Sequence, residues 1–377
     1  MSFDTDVNAT APADRMKAIE LARRVQLAGD PLIGSPRLDP TIERSWGRCL
    51  AQGMRPQHRI EFNAVSAPTM RQALEANQPL LRAAVPVIQS LVRAVKDSGY
   101  FAILTDARGV VIDVNGPVDQ RNRLVHLIAR VGVDLSESAV GTTAIGTTLT
   151  ELQPVWLHRG EHFFDDTSAY SCAGAPVFGP DGRCVGMLDL TGVHVPERPA
   201  LKHLVTQSAL SIENALLVAQ SHRVLLRLNW PGHPLGAEGD GLLGIGADGQ
   251  IQGANRSAAH MLGLKGSPWP HCSDVFAVSP DTLFDAARTQ RPAVEVPLWS
   301  GLHVQVLARP NGQAHDNRPA VGTQLSSSLA AVPLKDLQAA LIRKAVDEAR
   351  GNVMEAARTL GSSLATVYRK LHQKKSP

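Results

Sequence analysis

The chain has little of what marks the common alternatives to an ordinary globular protein. Its four cysteines (Cys49, Cys172, Cys184, Cys272) are scattered, and no CxxC occurs. That spacing argues against a disulfide framework or a zinc ribbon and makes a reducing cytoplasm the default. Aromatic residues are only 4% of the chain and mostly avoid its basic end. A surface that stacks single-stranded bases is therefore not expected. No stretch approaches the roughly 18 uninterrupted apolar residues of a membrane span. The best one, residues 80–95, is broken by Arg82, Pro86 and Arg93. The first fifteen residues lack an apolar core, so no secretion signal and no membrane partner are expected.

Signatures of several chemistries are missing as well. No GxxxxGK(S/T) phosphate loop occurs, and no GxSxG elbow accompanies Ser168, Ser171 and His162. Neither ATP hydrolysis nor a serine hydrolase is expected. Gly244, Gly246 and Gly249 fit GxGxxG, but Asp248-Gly249 reads as a hairpin turn, whereas a dinucleotide site opens a helix. His162, Asp165, Asp166 and Cys172 form a loose set of possible metal ligands, with loop packing the commoner reading. Cys172 and Cys184, separated by eleven residues, would be a redox pair only if the fold brought them together; buried strand cysteines are commoner. No metal, cofactor or enzymatic activity is expected.

What is present is a globular mix, 44% hydrophobic and 19% charged, in 377 residues. That length suits two or three domains. The net charge of +3 is unevenly spread. Residues 334–377 carry nine Lys or Arg against four acids, a local excess of five, and the remainder sums to −2. A basic end on a mildly acidic body suggests a polyanion-binding module.

The pattern resolves into segments. Asp39 caps a helix with Pro40 at its first position and Gly53 past its end. A second helical pattern runs from Leu81 to Val95. YFAILTDARGVVIDVNG reads as strand, turn, strand, and residues 121–131 return to helix. Residues 153–158 read as a strand, and APVFGPDGRCVGMLDLTGV as a hairpin turning at Pro180-Asp181-Gly182. A long helix is expected from Leu201 to Leu226. GDGLLGIGADGQIQGANRSAAHMLGL reads as strand, turn, strand, helix, and residues 294–310 as a last hairpin. Residues 311–333, rich in Gly, Ser, Asn and Pro, mark a linker.

The last segment reads as three helices. Asn352 with Glu355 makes a capping-box-like start, and Val353, Ala356, Ala357 and Leu360 form an apolar stripe. Gly361-Ser362-Ser363 is a short turn. Leu364, Val367 and Leu371 face inward on the final helix, while Thr366, Arg369, Lys370 and Gln373 face out. This is a helix-turn-helix pattern whose outer face suits the major groove. Candidate DNA contacts are Ser363, Thr366, Tyr368, Arg369, Lys370, Gln373 and Lys374.

GNVMEAARTLGSSLATVYRKL resembles the Fis-type helix-turn-helix. Leu364 departs from it, since an Arg usually stands there. DPTIERSWGRCLAQGMRP, GYFAILTDARGVVIDV, VGTTAIGTTL, GEHFF and CAGAPVFGPDGRCVGMLDLTG, in that order, resemble the sensory half of acetoin-catabolism-type regulators, a subgroup of sigma-54 activators. Thr143 stands where that family usually has Asn. The resemblance implies an α+β multidomain chain: an N-terminal helical region (1–74), a GAF-like mixed sheet with flanking helices (75–225) and a PAS-like small α+β domain (226–310). The linker (311–333) and an all-α helix-turn-helix (334–377) follow. It implies a cytoplasmic, DNA-binding transcription regulator with no bound cofactor, pairing as a homodimer on double-stranded DNA. A small-molecule effector is expected near Thr142, Thr143, Trp156, His162, Phe163, Tyr170 and Cys172. The family's central AAA+ ATPase is replaced by the linker, so regulation without ATP hydrolysis is expected, with RNA polymerase or full-length relatives as further partners. The other reading is an interaction protein that dimerises with or antagonises full-length sigma-54 activators.

Overall fold

The computed structural model describes residues 12–27, 38–119 and 121–310, together with residue 353. The chain begins with α1 (Pro12–Gln26), α2 (Pro40–Ala51), α3 (Ala67–Ala76) and α4 (Gln78–Ala94). Strands β1 (Tyr100–Asp106) and β2 (Val111–Asn115) precede α5 (Arg123–Ile128), α6 (Glu137–Val140) and α7 (Ala144–Glu151). Then come β3 (Val155–His158), β4 (Tyr170–Phe178), β5 (Cys184–Val193) and α8 (Leu201–Ala219). The rest comprises β6 (Val224–Asn229), β7 (Gly241–Ile245), β8 (Ile251–Ala254), α9 (Arg256–Leu262), α10 (Pro280–Arg288), β9 (Val294–Pro297) and β10 (His303–Pro310).

Local chemistry starts the helices. The Thr41 amide donates to the Asp39 carboxylate at 2.9 Å, satisfying an otherwise unpaired donor of α2. Asn122 caps α5 in the same way, and Thr143 caps α7, accepting from the Gly146 amide at 3.1 Å.

The first sheet has the order β2-β1-β5-β4-β3. The α+β class and the flanking helices stand as expected, but the sheet is antiparallel at every pairing rather than mixed. Its tight β1–β2 and β4–β5 hairpins impose that sense, and no helical crossover returns a strand parallel to its neighbour. Period-two alternation divides the side chains. Tyr100, Ala102, Leu104, Ala173, Leu188 and Leu190 face α4 and α8. Phe101, Ile103, Tyr170, Cys172 and Met187 face a layer made of α2, α5, α7 and the irregular segment 159–169.

The second sheet, β8-β7-β6-β10-β9, is also antiparallel. Strand β6 corrects the helix expected to reach Leu226. Helix α8 ends at Ala219, Gln220 turns extended, and its carbonyl lies 2.8 Å from His222 Nδ1. Val224, Leu226 and Leu228 are then buried on alternate residues. A short apolar run fits helix and strand alike, and pairing with β7 and β10 decides it. Gly244–Gly249 spans the end of β7 and the turn to β8, with Gly249 at φ +85°, so a hairpin occupies this glycine motif.

The two sheets meet at the β4–β5 turn. The Pro180 carbonyl accepts from Trp269 Nε1 and from the Ala254 amide, both at 3.0 Å. Arg256 pairs with buried Glu213 of α8 at 2.9 Å and lies over the Phe178 ring at 5.1 Å. Residues 311–352 and 354–377 lie outside the described residues, and with them every candidate DNA contact from Ser363 to Lys374.

Candidate functional site: a polar-floored cavity under the first sheet

Register builds the site. Asp189 on β5 lies between Ile103 of β1 and Gly174 of β4, and Thr191 lies between Phe101 and Cys172. All point to the same face. Gly174 supplies no side chain; a Cβ there would lie 2.6 Å from Met187 Cε and 2.8 Å from Thr148 Oγ1. That missing side chain lets α7 sit close over the strands. Between strands, α5, α7 and the 159–168 segment remains a cavity of about 30 Å³. Its apolar wall includes Phe62, Ile103, Ile128, Leu135 and Ile145.

The polar floor is continuous. Thr191 Oγ1 donates to Asp189 Oδ2 and lies 3.3 Å from Cys172 Sγ. Cys172 Sγ is 3.6 Å from His162 Nε2, while His162 Nδ1 is 2.9 Å from the Arg159 carbonyl. A carbonyl only accepts, so Nδ1 carries the proton and Nε2 is left as the acceptor for the thiol. Burial pushes the His162 imidazole down to about 4, with His158 and Arg23 adding to the effect. Burial likewise pushes the Cys172 thiol well up and the Asp189 carboxyl up to about 7, the latter against the Thr191 hydrogen bond. Near neutrality the floor is a neutral imidazole, a thiol and a carboxyl close to half protonated. Asp189 Oδ1 is buried with no partner. An unmet polar atom of this kind in an apolar cavity is the place where a guest gains most by hydrogen bonding.

Four of the seven expected effector residues meet here: Thr143, His162, Tyr170 and Cys172 line the cavity. The Tyr170 hydroxyl donates to the Leu124 carbonyl at 2.9 Å, so its ring is what the cavity sees. Thr142 is buried nearby but accepts from Ser45 Oγ at 2.8 Å, in a network that continues through Glu137 to Arg48. Phe163 is fully buried in the same cluster without reaching the cavity lining. Trp156 packs on the opposite face, stacked on His158, because Leu157 is the residue paired with Cys172. On that face His158 Nδ1 and Ser171 Oγ satisfy each other at 2.7 Å.

Asp189 and Thr191 were missed. The signal was an acid inside the apolar strand Met187-Leu-Asp-Leu-Thr191, at a position whose strand neighbours all bury. Thr143 caps α7 through its hydroxyl, a role that suits Thr and Asn alike. Of the loose ligand set, Asp165 pairs with Arg23 at 2.6 Å. Among the described residues no three His, Cys, Asp or Glu side chains come together to hold a metal. Cys172 and Cys184 face Thr191 and Phe178, six positions apart along β4, or about 20 Å at strand rise.

The family described as "MimR, N-terminal domain" matches residues 27–214, and "Bacterial regulatory protein, Fis family" matches residues 333–373, together more than half of the chain. The acetoin catabolism regulatory protein of Cupriavidus necator is 32% identical over 66% of this chain and 38% of its own length. The propane 2-monooxygenase operon transcriptional activator MimR of Mycolicibacterium goodii is 28% identical over 54% of this chain and 34% of its own. The chain thus spans under two fifths of these relatives. The crystal structure of the E. coli DhaR(N)–DhaL complex aligns at 16% identity and a TM-score of 0.45, covering 72% of this chain and 100% of that one.

Proposed function

The chain belongs to the family of acetoin-catabolism-type regulators, and from that premise we propose that it is a DNA-binding transcriptional regulator switched by a small uncharged effector held beside Asp189. The observation that carries the first half is the Fis-type match over residues 333–373, in a segment with an excess of basic residues. The observation that carries the second is the unpartnered Asp189 Oδ1 in a cavity otherwise lined by apolar and neutral groups. A carboxylate guest would face Asp189, and a large one would not fit. A compact molecule with a hydroxyl toward Oδ1 and an aliphatic body toward Ile103, Ile128 and Ile145 satisfies both.

Transmission runs through covalently continuous strands. The β4 and β5 residues that floor the cavity end in the turn held by Trp269 and Ala254, and α8 is held by Arg256. A guest that shifts this hairpin therefore shifts its seat on the second sheet, which precedes the linker. In this reading a homodimer meets two half-sites about one DNA turn apart, and regulation needs no ATP. The chain contains no GxxxxGK(S/T) loop, and ATP turnover by the pure protein would overturn that part.

The test is binding of the full chain to operator fragments selected from genomic DNA. Arg369→Ala is expected to weaken specific binding by about 1–3 kcal/mol and relax base preference. Leu364, where the family has Arg, favours a second reading: a partner of full-length sigma-54 activators. Co-purification with such a relative, together with no DNA binding alone, would select it.

A further inference from the structure

The cavity lies among buried residues. Among its lining residues all but Thr143 are buried. Its roughly 30 Å³ is far below the few hundred Å³ of an ordinary ligand site, so most guests enter only if a wall gives way. The strands are bonded on both edges, and α7 rests on Gly174 with Ala144 and Thr148. Beside α5, Phe62 and Leu135, the last wall is residues 159–168, which has only two single 3-10 turns, Arg159–Glu161 and Asp165–Thr167.

The Phe163 and Asp165 amides of that wall donate to the Thr142 and Pro56 carbonyls, while its own carbonyls rely on side chains from outside. Four successive carbonyls, from Gly160 to Phe163, each accept from a side chain of α1 or α2. Arg23 Nη1 donates to Gly160 at 2.9 Å and to His162 at 2.6 Å, and Nη2 to Phe163 at 3.1 Å and Asp165 Oδ1 at 2.6 Å. Trp46 Nε1 donates to Glu161 at 2.9 Å, with the Arg23 guanidinium 5.9 Å from its ring centroid. Two turns earlier on α1, Arg15 pairs with Glu161 at 2.8 Å and Glu197 at 3.0 Å. Gly160 makes the fit possible: a Cβ there would lie 3.0 Å from Ile19 Cγ2 and 3.3 Å from Arg23 Cδ. Irregular backbone that depends on outside donors loses its conformation when they leave.

We infer that α1 is a strap controlling access to the cavity. Seated, its Arg23 fixes the segment carrying His162 and Thr167, and the cavity is shut. Unseated, three carbonyls lose their donor together, and the wall with its His162 swings away from Cys172. This rests on the cavity being the effector site, but its test uses neither effector nor DNA, so the two fail separately.

The test is alkylation of the full-length chain by iodoacetamide at pH 8, with each cysteine followed by peptide mass spectrometry. Cys172 in the cavity reports opening of the wall, and Cys272, buried under the second sheet, reports loosening elsewhere. Arg23→Ala is expected to label Cys172 about tenfold faster with Cys272 unchanged. Arg23→Lys keeps the charge beside Asp165 but gives up the fork across the carbonyls, and about threefold is expected. Unchanged labelling of Cys172 in both variants overturns the strap. So does an equal acceleration of Cys272 in the lysine variant.

Discussion

The two faces of the first sheet use the same five strands to opposite ends. Leu188 and Leu190 enter a packed layer under α4 and α8, where His158 and Ser171 satisfy each other and Trp156 Nε1 is buried without a partner. Met187, Asp189 and Thr191, the alternate residues of the same strand, face a layer with a hole in it and one carboxylate oxygen unmet. The difference lies in the alternating residue types of the strand and in what covers each side. Long helices fill the first face, while a glycine, a short helix and an irregular segment cover the second. One face carries stability, and the other gives some of it up for a place to receive a guest.

Substitutions at three positions can break that comparison. The largest effect belongs to the packed face: Leu190→Ala should cost about 2–5 kcal/mol, read as a shift of the urea midpoint. A loss below about 1 kcal/mol would mean that this face is not the tight one. Asp189→Asn tests the other face. The Asp189 carboxyl, pushed up to about 7, holds its proton in the folded chain where an unfolded Asp has already released it. The native protein therefore loses stability as pH rises from about 4 to about 7, by up to roughly 4 kcal/mol from this group. The asparagine variant should escape that loss, being about 2–4 kcal/mol more stable than the native protein at pH 8 and no more stable at pH 4. Equal differences at both pH values would show that Asp189 is not held protonated. Glu161 and Glu213, also raised by burial to about 7, titrate in both proteins and cancel. The smallest effect sharpens the roof: Thr143→Ala should cost about 1 kcal/mol through the lost α7 cap, and Thr143→Asn should recover most of it. If Thr143→Asn is as damaging as Thr143→Ala, the hydroxyl serves the cavity and not the helix end.

Much of this was legible from side-chain order. The cap at Asp39 and both principal hairpins follow from local chemistry, and the structure has them where residue types put them. The turn at Gly249 likewise separated a hairpin from a phosphate loop. Strand β6 was not legible, because Val224-Leu225-Leu226 fits both periods and only its neighbours decide. The site was half legible. His162, Tyr170 and Cys172 sit on one face through motif and strand order, whereas Trp156 was placed with them by composition and removed by register. Asp189 looked like one more strand residue until its oxygen proved to have no partner.

By itself the sequence determined the elements, the basic end with its Fis-type pattern and the absence of a phosphate loop, since each is carried by neighbours within a few residues. Only the tertiary structure decided which of two alternating sets lines a cavity, that Gly174 and Gly160 make room for α7 and α1, and that Arg23 holds residues 160–165 from more than 130 positions away. Register, close approach and unmet hydrogen bonds are relations between distant segments, and no local run of residues contains them.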